Sequence, residues 1–182
     1  MSPTSESPNP RGVYTFPHSR DGDTRWLRCI GTGYGETAPI GMDRLQRRDF
    51  ELDGHNRING EEMEMSRIDH VIAAGSQEVW NVRSSNQPHT FHIHGATFHV
   101  LEVEGEEPPN YLRGPKDTVF VGDDHSVKLA VQFDTHTDPE TPYMYHCHIL
   151  RHEDNGMMGQ FVVVEPGTEE TVSTTLDRDS GH

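Results

Sequence analysis

The sequence predicts an all-β sandwich preceded by an irregular N-terminal extension. Three observations carry this. From about residue 45 onward, short runs rich in Val, Phe and Thr alternate with Gly, Pro, Asn and Asp. Helical periodicity is almost absent from these runs. The clearest of them, residues 127–133 (VKLAVQF), alternates apolar and polar with the period of two that a half-buried strand requires.

Taken in order, residues 1–44 are rich in Ser, Pro and Gly and read as a linker or the remnant of a preceding domain. Their one apolar patch is Trp26-Leu27, with Cys29-Ile30 just after. Residues 42–48 are expected to form one helical turn. The folded domain is expected over 45–166. Its first strand is 49–52, with Phe50 and Leu52 on one face. Gly54, Asn56 and Asn59-Gly60 then turn the chain. Met63 and Met65 are expected to fill gaps in the core. Further strands are expected at 68–73 and at 77–83 (QEVWNVR), where Trp80 and Val82 share a face and Val79 takes the other. A strand over 97–103 carries His99, read as a surface or supporting histidine. Three prolines make 105–115 a loop, and strands follow at 118–122 and 127–133. Residues 134–142 read as a polar loop before a strand over 143–148, and 159–165 (GQFVVVE) closes the sheet. The polar tail, 167–182, is expected to be disordered.

Composition bounds what this domain does. At 182 residues, one domain with an extension is the simplest organisation. The hydrophobic share is 31%, enough for a core but not for well-packed termini. A net charge of −15 argues against nucleic acid and anionic membranes as partners. The start, MSPTSESPNP, lacks the basic-then-apolar pattern of a secretion signal, and no window is apolar enough to insert in a membrane. Read literally, the chain is not exported. Its two cysteines are Cys29 and Cys147, and if Cys147 binds a metal they form no disulfide.

Two histidine motifs carry the chemistry. The first, residues 145–158, reads YHCHILRHEDNGMM. In a strand, His146 and His148 face one way and Cys147 the other. His152 and Met157 follow at a spacing that lets one loop present thiolate, imidazole and thioether to a single ion. The second motif, PHTFHIHG at 88–95, supplies His89, His92 and His94. We assign His89 to the Cys147 site, and pair His92 and His94 with His146 and His148 in an all-imidazole cluster. Two His, one Cys and a weak Met are the ligands of a blue-copper electron-transfer site. Zinc has little use for Met and prefers several thiolates in structural sites.

The two motifs together resemble the last cupredoxin domain of multicopper oxidases, the family of laccases, bilirubin oxidases and cuprous oxidases. The likeness runs over about residues 45–166 and includes FELDG at 50–54, ING at 58–60 and PKDTV at 115–119. It implies a cupredoxin-like Greek-key β-sandwich and copper as cofactor. It implies that His89, Cys147, His152 and Met157 hold the type-1 copper. It further implies that His92 binds a type-2 copper and that His94, His146 and His148 bind a type-3 pair. A reducing substrate would give electrons singly to the first site, and O2 would be reduced to water at the second. By the same resemblance, Glu153 is a candidate proton relay, with a plain surface acid as the alternative. Such oxidases are often periplasmic or extracellular.

The sequence departs from the family in one respect. The family's cluster uses four His-x-His pairs, and this chain holds two, His92/His94 and His146/His148. The other seven histidines, His18, His55, His70, His99, His125, His136 and His182, are isolated. A partner cupredoxin domain or chain is therefore expected to supply the rest. The alternatives are a blue-copper electron carrier and an inactive fragment of such an oxidase. The reducing substrate is not legible.

Overall fold

The computed structural model describes residues 44–176. Cys29, His18, His182 and all but the last residue of the linker expected over 1–44 lie outside the described residues. Among the described residues, ten strands and one short α-helix follow in order: β1 Gln46–Asp53, β2 Arg57–Ile58, β3 His70–Ala73, β4 Gln77–Ser85, β5 His89–Ile93, β6 Ala96–Val103, β7 Thr118–Val121, β8 Ser126–Phe133, β9 Asp138–Cys147, α1 Leu150–Asp154 and β10 Met158–Val164. They form two five-stranded sheets, β2-β1-β4-β8-β6 and β3-β10-β9-β5-β7. β1 with β4 and β3 with β10 pair in parallel, and the remaining pairs are antiparallel.

Alternation explains the packing. The inward residues of both sheets, among them Phe50, Leu52, Trp80, Val82, Phe91, Leu129, Val131, Phe133, Tyr145 and Phe161, fuse into one core. Its centre is aromatic, with the Phe50 and Trp80 rings 4.4 Å apart and Trp80 edge-on to Tyr145. Trp80 Nε1 donates to the buried Glu78 carboxylate at 2.7 Å, and Arg48 pairs with the same carboxylate through two nitrogens at 2.7 and 2.9 Å. That fork satisfies a buried charge which would otherwise destabilise the fold.

Several expectations need correcting. Residues 46–48 are not helical: Gln46 and Arg48 pair with Glu78 and Trp80 across the parallel β1–β4 ladder. Met65 is 48% exposed, so it fills no core gap. The tail does not run free as far as residue 176. Ile68 N donates to the Thr174 carbonyl and Leu176 N to that of Ser66. Val172 and Leu176 pack on Ile68, Val162 and Val164. This second small core covers the back of β10, whose residues from Gly159 to Val164 are buried on both faces. Residues 134–142 are partly strand: Asp138 pairs with Val163 and Tyr143 with Phe161, and the residues between bulge outward.

Candidate metal centre

β5 and β9 lie side by side in the second sheet, with Phe91 opposite Cys147 and His92 opposite His146. Alternation then sorts the motif residues. His89, Phe91 and Ile93 point into the core, and so do Tyr145 and Cys147; His92, His94 and His146 point out of it. Both strands turn out of the sheet just where the motifs need them to. Gly95 takes φ +59°, and a Cβ there would lie 2.6 Å from the Tyr143 ring, so HIHG ends in the one residue that fits.

After Cys147 the chain makes α1, which the sequence reading missed. Its five residues bring His152 back under Cys147. The loop closes when Cys147 N donates to the Met157 carbonyl at 3.1 Å and Met157 N to that of His152 at 3.0 Å. Gly156, at φ +85°, makes the return possible.

The inner group comprises His89, Cys147 and His152, all buried, with donor atoms within 4.8 Å of one another. His152 Nδ1 is 3.4 Å from Cys147 Sγ and 3.2 Å from His89 Nδ1. Met157 is fully buried in the same core, and its backbone is bonded to Cys147 and His152. Burial, reinforced by the neighbouring His152, lowers the His89 pKa to about 4, so the ring is neutral and its lone pair is free. Burial also pushes the Cys147 thiol up. A thiol buried against two neutral imidazoles ionises when a cation is there to take the charge. The donor set fits a soft, three-coordinate metal with a weak fourth ligand.

The outer group comprises His92, His94 and His146, again within 4.8 Å. His92 Nδ1 donates to the Asp117 carbonyl at 2.9 Å, which leaves the Nε2 lone pair free to bind a metal. The Nε2 atoms of His94 and His146 face each other at 3.2 Å, an arrangement suited to a shared cation. Burial lowers the pKa of both rings. His148 is half exposed and stands beside this group, its ring 5.5 Å from His92 and 5.2 Å from His146. Glu153 Oε2 lies 3.7 Å from His146 Nδ1 and 3.6 Å from His148 Nδ1, so one carboxylate backs both imidazoles.

Two histidines that looked isolated are not. His55 stands at the tip of the β1–β2 hairpin with Nδ1 3.1 Å from His152 Nε2. His70 takes a contact from Arg48 at 3.2 Å and stacks on Tyr145. No spacing rule links either to the motifs; only the tertiary fold does. His99 lies on β6 in the other sheet, away from both groups.

Residues 36–167 match the profile of the multicopper oxidase family, copper proteins. This chain belongs to that family. Multicopper oxidase mco of Staphylococcus haemolyticus is 42% identical over 123 residues, covering 63% of this chain and 26% of its own length. Cell division protein FtsP of Salmonella typhimurium is 34% identical over 137 residues, or 75% of this chain and 27% of that protein. Among solved structures, a laccase-like multicopper oxidase from Ochrobactrum sp. superposes with a TM-score of 0.62 at 37% identity, over 72% of this chain and 33% of that one. The multicopper oxidase of Pediococcus acidilactici gives 0.65 at 30% identity, over 74% and 29%. The fold is thus the cupredoxin-like sandwich of these oxidases. The chain spans about a quarter of the length of the curated relatives it matches. Among the described residues, no helix is long and apolar enough to cross a membrane.

Proposed function

We propose that this chain is the electron-accepting cupredoxin module of a laccase-like oxidase. His89, Cys147, His152 and Met157 hold the type-1 copper, and His92, His94, His146 and His148 form half of the type-2/type-3 cluster. The observation that carries this reading is the split at β9. The Cys147 sulfur joins one donor group on the inner face, while the adjacent His146 joins another on the outer face. A strand that only stabilised the fold has no use for two convergent donor sets back to back.

Copper bound at these residues would pass one electron at a time from a reducing substrate to O2, which leaves as water. The chain's own residues define the path. Cys147 bridges the inner group to the backbone of His146 and His148. The second cupredoxin partner, in the same polypeptide or another, brings the missing His-x-His pairs. Glu153 Oε2 faces the Nδ1 atoms of His146 and His148 from 3.7 and 3.6 Å, and from there it relays protons to the outer cluster. Glu153→Gln keeps the shape and loses the charge. A variant that reduces O2 as fast as the parent, with the partner present, removes the relay.

A blue-copper carrier needs the inner group alone, and the backed, oriented outer imidazoles speak against it. Copper content decides the matter. The oxidase reading expects a blue chromophore from the chain alone and further copper on the outer face once a partner domain is added. A chain that stays at a single blue copper with any partner is a carrier.

A further inference from the structure

The inner group has an outward edge. His152 aims Nδ1 at Cys147 and His89, so its proton sits on Nε2. That nitrogen belongs to a buried residue, 6% exposed. It meets His55, an exposed residue, at 3.1 Å, with ring centres 5.0 Å apart and 39° between planes.

His55 is held there on several sides. It tops the hairpin in which Leu52 pairs with Ile58 and Asp53 with Arg57. Asn59 pins that hairpin, its Oδ1 taking the Glu51 N–H at 2.7 Å and its Nδ2 reaching the Asp49 carbonyl at 3.0 Å. Gln87 Nε2 donates to the Gly54 carbonyl and lies 2.8 Å from His55 Nδ1. Asn86 Nδ2 donates to Asp53 at 3.1 Å. Gln87 and Asn86 belong to the turn that leads into His89, so the turn delivering one ligand also clamps the residue that caps another.

We propose that His55 is the outer-shell positioning residue of the inner site and the edge through which a reductant delivers its electron. The inference rests on the copper reading of His89, Cys147 and His152. His55 accepts the His152 Nε2–H, which fixes the tautomer and aims Nδ1 at the metal. A donor approaching from solvent touches the His55 ring, because the ligand itself is covered. A hydroquinone would give one electron to copper(II) held by these residues, which becomes copper(I), and would release a hydroxyl proton to water, leaving a semiquinone. The proton on His152 Nε2 stays in its hydrogen bond, and no covalent bond to the protein is made. An exposed ring edge suits a small outer-sphere donor, and hydroquinone serves as the probe.

The test uses the full chain loaded with copper(II), mixed without oxygen with hydroquinone. The bleaching of the blue band is followed by stopped flow, and thermal melts check the fold. His55→Leu is expected to slow bleaching about tenfold, the lower end of what outer-shell partners of metal ligands contribute, and to shift the band. His55→Gln restores an acceptor without a ring, so it is expected to recover the band while bleaching stays slow. A His55→Leu chain that bleaches at the parental rate overturns the proposal. So does a His55→Gln chain that regains the full rate. If the unsubstituted chain takes up no blue copper, the reading of the inner site falls instead.

Discussion

At the scale of single residues, the inner and outer groups make separable predictions. Cys147 is the only described cysteine, and it is buried. Cys147→Ser is expected to abolish the blue absorption while the outward histidines still take up metal, which copper analysis beside the visible spectrum checks. Met157→Leu keeps the cavity filled but removes the proposed soft ligand. It is expected to keep the blue colour and raise the reduction potential. His70 gives a pH prediction away from the ligands. Burial, then the Arg48 charge, lowers its pKa from 6.5 to about 4. The unfolded chain protonates this ring near pH 6.5 and the folded chain does so only near 4. Between those values the unfolded state binds more protons, so stability rises with pH there. The stabilising contribution is complete above pH 6.5 and disappears as pH falls through about 4. Melts of the copper-free chain are expected to drop across that window, and His70→Gln is expected to flatten the drop. Not every residue was legible in this way. Cys147 and the motif histidines announced themselves by spacing, whereas His55 and His70 acquire their partners from residues 97 and 22 positions away.

At the scale of elements, alternation made the key strands readable. β5 and β9 each carry an apolar inward row, so a strand placed in the right register fixes every histidine's face. α1 was not readable, because five residues are too few to show a helical period and tertiary contacts hold it in place. The strand character of residue 138 was hidden by Pro139 and Pro142, which the bulge tolerates. β1 was misjudged at its start because its parallel partner lies some thirty residues on. The turn after β5 offers a test. Gly95→Ala puts a side chain at φ +59° and into the Tyr143 ring. A loss of roughly 1–3 kcal/mol in urea unfolding is expected, with weakened copper uptake at His94, its neighbour. Unfolding that matches the parent removes the steric account of this position.

At the scale of the whole molecule, the sandwich is asymmetric in use. One sheet, β2-β1-β4-β8-β6, closes the core and carries the hairpin that reaches His152. The other, β3-β10-β9-β5-β7, carries a donor group on each face. Sequence composition foresaw the sandwich but not the ordered stretch to residue 176, since a polar tail gives no hint that Val172 and Leu176 find a ready apolar strip on β10. The incomplete outer group leads to one measurement on the assembled protein. Oxygen uptake with a reductant is expected to be absent from this chain alone and to appear with a cupredoxin domain bearing two further His-x-His pairs. Uptake by the isolated chain at the rate of the mixture would show that the outward histidines need no complement.

The hydrogen bond from Cys147 N to the Met157 carbonyl makes a closed ring of the segment between them. A ring of fixed circumference admits exchange of beads but not their addition. Leu150, 71% exposed, and Arg151 and Asp154, both on its outer side, are free to drift in identity. A single inserted or deleted residue would rotate the imidazole at 152 away from the sulfur. In homologous chains this circuit is therefore expected to vary in spelling and never in length, which makes it a portable cassette for grafting onto other two-sheet scaffolds.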